Sequence, residues 1–141
     1  MSTTAILIDT GPLVALLHRG DPQHAACDAV AKTLRLPLFT CWPVITEAAY
    51  LLRRSPQAVS TLLTYCDGSI LELLSLDKND LPAIDLILRK YADQQLDLAD
   101  AALMHLAGRE DIETVFTLDR RHFSIYRDRQ RRGFNLLPDT L

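Results

Sequence analysis

The 141-residue chain has the length of a single domain, and its 48% hydrophobic and 23% charged residues are typical of an ordinary globular protein. No apolar run reaches the length of a membrane-spanning helix, and no positive charge precedes the first apolar run, as it would in a secretory signal. The net charge is −3, but without the five acids discussed below the remainder would be slightly basic. A polyanionic partner is therefore compatible with the composition.

Strand and helix patterns alternate along the chain, with no internal repeat and no linker that would divide it. The predicted strands are Ala5–Asp9, Leu36–Thr40, Ile70–Leu74, Thr114–Leu118 and Phe134–Leu137. The predicted helices begin at Thr10, Asp21-Pro22, Pro43, Ser55-Pro56, Asp77 to Asp80 and Leu98, and the last of them is expected to end at Gly108. This alternation predicts one α/β domain over residues 1–141. We expect a three-layer α/β/α architecture with a mostly parallel central sheet of four to five strands.

Acidic side chains lie within or beside the most apolar stretches of the chain, at Asp9, Glu47, Asp97, Asp100 and Asp119. An ionised carboxylate in apolar surroundings is unstable unless another group compensates its charge. Two carboxylates about 5 Å apart repel each other by roughly 3 kcal/mol at an effective dielectric constant near 20. No lysine or arginine within these stretches is spaced to neutralise the acids. The pattern therefore predicts a divalent metal site.

The predicted fold brings these acids to one place. Asp9 and Asp119 each follow a predicted strand, and Glu47 and Asp100 are expected in the first turns of helices. The carboxyl ends of parallel strands meet at one edge of a sheet, where the functional crevice of such folds lies. We therefore expect these four side chains to converge, with Asp97 assisting them.

Simpler structural roles exist for some of the acids. Asp9 could be a turn or cap residue, and Asp97 has the position of a plain helix N-cap. Asp119 precedes two arginines and could form a surface ion pair. Glu47 and Asp100 are harder to explain in this way, because their helical neighbours are almost all apolar.

An all-carboxylate site selects Mg²⁺ or Mn²⁺ rather than zinc, and such ions activate water for attack on a phosphodiester. Other chemistries lack their signatures in this chain. No Ser-His-Asp or Cys-His arrangement and no glycine-rich phosphate loop is present. The cysteines, Cys27, Cys41 and Cys66, have no zinc-type spacing and are expected to be reduced thiols in a cytoplasmic protein. The histidines have no metal-binding spacing either, and we interpret them as surface or edge residues: His18, His24, His105 and His122.

Two further groups of residues suit a nuclease. Thr10 and Thr117 are placed to orient carboxylates or a metal-bound water. Residues 120–132 contain six arginines interleaved with aromatic side chains, a combination that suits phosphates and unstacked bases. We predict RNA contacts for Arg120, Arg121 and Arg127; a solvated loop or a protein-binding surface is the alternative.

The acid-bearing segments, in their order along the chain, resemble those of the PIN-domain nucleases and, more narrowly, of the VapC-like toxins of type II toxin–antitoxin pairs. The matching segments are IDTGPLVALL at 8–17, TEAAYLL at 46–52, DLADAAL at 97–103 and TLDRRHF at 117–123. The resemblance implies that Asp9, Glu47, Asp100 and Asp119 are the catalytic, metal-binding acids. Asp97 matches a position that varies more within the family.

The resemblance also implies an activity and partners. It implies a Mg²⁺- or Mn²⁺-dependent endoribonuclease that hydrolyses RNA phosphodiester bonds, forms a homodimer and is blocked by a small antitoxin protein. A PIN-domain nuclease of RNA processing without an antitoxin, or an inactive PIN-like binding module, is the alternative. The stretch 7–11 (LIDTG) also resembles the aspartic protease motif, but the helical periodicity of this chain argues against the β-rich fold of those enzymes.

Overall fold

A five-stranded sheet forms the centre of the protein in the computed structural model, which describes residues 5–128 and 130–139. The strands are β1 (Ile6–Ile8), β2 (Leu38–Thr40), β3 (Leu71–Leu73), β4 (Thr114–Phe116) and β5 (Asn135–Leu137). Their order in the sheet is β3-β2-β1-β4-β5, and every pair is parallel. The α/β prediction is therefore confirmed. The sheet is parallel throughout, whereas we predicted a mostly parallel one.

Seven α-helices connect the strands in the part of the chain that the structure describes. They are α1 (Thr10–Leu17), α2 (His24–Ala31), α3 (Trp42–Leu51), α4 (Pro56–Tyr65), α5 (Leu81–Lys90), α6 (Leu98–Glu110) and α7 (Arg120–Ile125). Short 3-10 turns at Lys78–Asp80 and Ala92–Gln94 flank α5. No helix in the described part of the chain is long and apolar enough to cross a membrane.

Local signals set several of the helix starts. The Ser55 hydroxyl accepts a hydrogen bond from the Ala58 amide at 3.2 Å, so the predicted cap of α4 is formed. The second helix begins later than predicted, at His24. Its entry is a turn in which the Asp21 carboxylate accepts a hydrogen bond from the Gln23 amide at 2.8 Å.

The prediction that the sixth helix ends at Gly108 is wrong. α6 continues to Glu110 and ends where Asp111 adopts a left-handed conformation with φ 55°. Asparagine and aspartate are the non-glycine residues that reach this conformation most readily. Arg109, one of the two residues added beyond Gly108, donates from its Nη1 to Asp80 Oδ1 at 3.1 Å.

The core lies around β1, β4 and α6. Leu7, Ile8, Val115 and Phe116 are completely buried, which matches the predicted apolar strands. α6 buries residues 99–104, 106 and 107, as expected for a helix that is apolar nearly all round.

The direction in which successive strands are added to the sheet reverses at β1, although all the strands run parallel. From β1 the chain proceeds outward through β2 to β3, and then it crosses back to β4 on the other side of β1. In open parallel sheets, the crevice at the carboxyl ends of two such strands is where ligands bind. The edge between β1 and β4 is therefore the expected location of a functional site.

Candidate metal centre

Asp9 and Asp119 lie at the carboxyl ends of β1 and β4. The Asp9 amide donates to the Phe116 carbonyl at 2.9 Å, which extends the pairing of the two strands. The buried Thr117 hydroxyl donates to Asp9 Oδ2 at 2.8 Å and accepts from the Asp119 amide at 2.9 Å. One hydroxyl thus holds both acid-bearing segments in a fixed relation.

Glu47 reaches the same edge from α3. It is the sixth residue of that helix, so it lies in the second turn and not in the first turn as predicted. Its Oε1 accepts a hydrogen bond from the Thr10 hydroxyl at 2.9 Å. Thr10 follows Asp9 directly, so this bond joins α3 to the end of β1.

The first turn of α6 contributes two acids. Asp97 is the N-cap, and its Oδ1 accepts from the Asp100 amide at 2.8 Å. Asp100 Oδ2 accepts in return from the Asp97 amide at 3.4 Å, which completes a capping box. Asp97 is exposed, whereas Asp100 is only 5% exposed. The capping role considered for Asp97 is therefore present in the structure.

His122 belongs to the same cluster, a contact that our interpretation of it as a surface or edge residue did not predict. Its Nδ1 lies 2.7 Å from Asp119 Oδ2 and 3.5 Å from Asp100 Oδ2. One ligand atom from each of Asp100, Asp119 and His122 lies within 4.8 Å of the others. A weak signal was available in the sequence: His122 is three residues after Asp119, so both face one side of a helix that starts there.

Burial and neighbouring negative charges raise the pKa of two of these acids, Asp9 and Asp100. Burial, reinforced by the charge of Glu47 and Asp97, raises the pKa of Asp9 to about 6. Burial also raises the pKa of Asp100, to about 8, with further contributions from the charges of Asp9, Asp97 and Asp119. Among residues 5–128 and 130–139, no lysine or arginine forms an ion pair with any of these acids. Their mutual repulsion is what a bound cation would relieve.

The arginines predicted to contact RNA have different environments. Arg120 is half-buried, and its Nε and Nη2 have no hydrogen-bond partner among the described residues. Arg121 is exposed beside it in the first turn of α7. Arg127 is also exposed, but its Nη1 donates to the carbonyls of Ser124 and Tyr126 at 2.7 Å each, at the end of α7.

The donor set fits a small divalent cation. It consists of carboxylate oxygens with one imidazole nitrogen beside them. The hydroxyl groups of Thr10 and Thr117 donate hydrogen bonds to the carboxylates of Glu47 and Asp9. Oxygen ligands suit Mg²⁺ and Mn²⁺, whereas the thiolates that structural zinc sites use are missing from the cluster. Cys41 is buried near Asp9, but burial raises the pKa of its thiol to about 11 and disfavours the thiolate.

Comparison with known proteins agrees with this arrangement. The pattern of the PIN domain matches residues 6–128. The chain belongs to the PIN-domain family. It is 33% identical over 135 residues to ribonuclease VapC26 of Mycobacterium tuberculosis. The aligned region covers 94% of this chain and 100% of VapC26. The crystal structure of VapC20 from the same organism, described as a toxin that cleaves the sarcin–ricin loop, has the same fold. It aligns with a TM-score of 0.76 at 16% identity over 83% of this chain and 92% of VapC20.

Membership of the PIN family confirms the resemblance that the acid-bearing segments indicated. In this PIN domain the four acids lie on different elements: Asp9 follows β1, Glu47 lies on α3, Asp100 lies on α6 and Asp119 precedes α7.

Proposed function

We propose that this PIN-domain protein is a metal-dependent endoribonuclease that hydrolyses phosphodiester bonds in RNA. The observation that carries the proposal is the convergence of Asp9, Glu47, Asp100 and Asp119 at the edge between β1 and β4, without a lysine or arginine partner among the described residues. RNA is favoured as the substrate because VapC26, which is 33% identical, is named a ribonuclease.

In this proposal, the four acids hold Mg²⁺ or Mn²⁺, which when bound activates water and stabilises developing negative charge. The protein's own task is to hold its carboxylates at fixed positions before the substrate arrives. Thr117 holds the Asp9 carboxylate and the backbone amide of Asp119, and Thr10 holds the Glu47 carboxylate. Asp97 assists indirectly, because its cap fixes the first turn of α6 on which Asp100 lies.

RNA brings further negative charge to an acidic edge, so cations are needed beside it. We propose that Arg120 and Arg121, which follow Asp119 directly, contact the phosphate backbone, with Arg127 further along the same segment. Arg121 is exposed and available for this role.

We further propose that the protein acts in the cytoplasm as the toxin of a type II toxin–antitoxin pair, as a homodimer controlled by a small antitoxin. The names of VapC26 and VapC20 support this assignment over a PIN-domain nuclease of RNA processing without an antitoxin. The presence of all four acids argues against an inactive binding module.

Cleavage of a mixed-sequence RNA tests the activity. Asp100→Asn preserves the shape of the side chain and an oxygen that can accept from the Asp97 amide, but it removes one charge from the proposed ligand set. We expect cleavage with Mn²⁺ or Mg²⁺ to fall at least about 100-fold in this variant and to stop when a chelator is added to the wild type.

Asp85→Asn is the matched control, because Asp85 is an exposed acid of α5 that pairs with Arg89 at 3.0 Å, away from the cluster. It should cleave like the wild type. Cleavage by Asp100→Asn at the wild-type rate, or cleavage that survives the chelator, would refute the proposal.

A further inference from the structure

We propose that His122 is a nitrogen ligand of the metal ion, binding through Nδ1, and that it makes the site prefer Mn²⁺ over Mg²⁺. The proposal rests on the metal centre proposed above, but it does not depend on RNA being the substrate. The four acids alone would form an all-oxygen site, and an imidazole nitrogen changes which ion such a site prefers.

A backbone carbonyl determines which ring nitrogen can bind an ion. His122 Nε2 lies 2.8 Å from the Gln94 carbonyl oxygen, in the 3-10 turn that follows α5. A carbonyl oxygen can only accept a hydrogen bond, so Nε2 carries a hydrogen and is unavailable to a metal. The lone pair available to a cation is then that of Nδ1, which faces Asp100 and Asp119. Metal-binding histidines are usually oriented in this way, by a hydrogen bond from the other nitrogen.

The distances around Nδ1 suit neighbouring ligands of one small ion. In an octahedral site with bonds near 2.1 Å, adjacent ligand atoms are about 3 Å apart. His122 Nδ1 lies 2.7 Å from Asp119 Oδ2 and 3.5 Å from Asp100 Oδ2. The other oxygen of Asp119 accepts from the His122 amide at 3.1 Å, so the carboxylate is held with Oδ2 facing the ring nitrogen.

A plain histidine–carboxylate pair is the competing explanation, and the protein contains such a pair for comparison. His105 Nε2 lies 2.7 Å from Asp80 Oδ1, and the two histidine side chains are similarly buried, with exposures of 14% for His105 and 19% for His122. Arg109 lies 3.1 Å from the same Asp80 oxygen, so a permanent cation balances that carboxylate. Asp100 and Asp119 have no such cation among the described residues. His105 is therefore the matched control.

Titration calorimetry without RNA measures the predicted preference. We expect the wild type to bind Mn²⁺ at least about 10-fold more tightly than Mg²⁺, since imidazole suits transition-metal ions better than it suits Mg²⁺. His122→Gln should weaken Mn²⁺ binding by about 10- to 100-fold and Mg²⁺ binding by less, which removes most of the preference. His105→Gln should leave both affinities unchanged. If His122→Gln lost the same factor of binding affinity for Mn²⁺ and for Mg²⁺, the proposed selectivity would be overturned.

Electron spin-echo spectroscopy of bound Mn²⁺ tests the ligand directly. Its measurement on the wild type does not depend on whether any variant folds. A nitrogen coupling from one imidazole is expected, and it should be absent in His122→Gln. Bound Mn²⁺ without nitrogen coupling, or with a coupling that persists in the variant, would overturn the proposal. Failure to bind Mn²⁺ at all would overturn the metal centre as well. Mn²⁺ bound through nitrogen by a protein that cuts no RNA would support this inference and refute only the ribonuclease.

Discussion

At the scale of single residues, Thr117 has the most direct influence on the site. Its hydroxyl both donates to Asp9 and accepts from the Asp119 amide, and the side chain is completely buried. A buried group that loses its hydrogen-bond partner destabilises the folded protein, and a carboxylate that loses its support binds a metal less well. We therefore expect Thr117 to affect both stability and metal binding.

Thr117→Val removes this hydroxyl with little change of shape. We expect the free energy of unfolding to fall by about 1–3 kcal/mol and Mn²⁺ affinity to fall by about 10- to 100-fold. Denaturant titration and calorimetry measure the two effects. Thr40→Val is the control, because Thr40 is equally buried but its hydroxyl donates to the Ile8 carbonyl at 3.0 Å. It should lose stability and keep its Mn²⁺ affinity; equal affinity losses in both variants would show that Thr117 has no special role.

At the scale of secondary structure, the first turn of α6 combines a helix cap with a site residue. Asp97 caps the helix, and Asp100, one turn further, is buried in the cluster. The position of the Asp100 carboxylate thus depends on how well the helix start is fixed. Since Asp97 is exposed, its own charge is screened by water and should contribute less to metal binding.

Two variants of Asp97 separate the cap from the charge. Asp97→Asn keeps a capping oxygen, so we expect nearly unchanged stability and less than about a 10-fold loss of cleavage. Asp97→Ala removes the cap and should lower the free energy of unfolding by about 1 kcal/mol. Thermal unfolding and RNA cleavage measure both. If Asp97→Asn weakened Mn²⁺ binding as much as Asp100→Asn, Asp97 would be a direct ligand.

Secondary structure could be predicted where its signal is local. The Ser55-Pro56 pair predicted the start of α4 correctly, because both the cap and the fixed proline backbone act within one turn. Gly108 gave the wrong end for α6, which continues for two residues to Glu110; one of them, Arg109, contacts Asp80, 29 residues earlier. Long-range contacts of this kind override a local preference.

The same distinction explains which site residues the sequence indicated. Asp9 and Asp119 follow apolar strands, so a parallel sheet alone predicted that they would meet. His122 depends on the Gln94 carbonyl, 28 residues away in a short turn, and a backbone carbonyl has no sequence signal. The metal roles of all five acids stay predictions until an ion is bound.

At the scale of the whole molecule, we expect the acid cluster to make stability depend on pH and on the proposed metal ion. Burial raises the pKa of Asp9 to about 6 and that of Asp100 to about 8, above the ordinary value of 3.8. Between pH 4 and pH 8 the folded protein therefore holds protons that the unfolded chain has released. The stability contributed by these two groups is full below pH 4 and is lost as pH rises through 6 and 8.

We therefore expect metal-free Asp100→Asn to be more stable than metal-free wild type at pH 8 by a few kcal/mol, at about 1.4 kcal/mol per pKa unit. The difference in free energy of unfolding between the two metal-free proteins should become smaller toward pH 5. At pH 8, saturating Mn²⁺ should make the wild type more stable than Asp100→Asn. A ligand stabilises most the protein that binds it more tightly, and the wild type keeps the proposed Asp100 ligand. Denaturant titrations with chelator or Mn²⁺ measure this, and a difference that is independent of pH would contradict the assigned pKa values.

The bond between Thr117 and Asp9 joins residues 108 positions apart, and it has a consequence for the timing of activity. Asp9 is synthesised before Asp119, with most of the described chain between them. A growing chain on the ribosome therefore has no complete cluster until β4 can pair with β1.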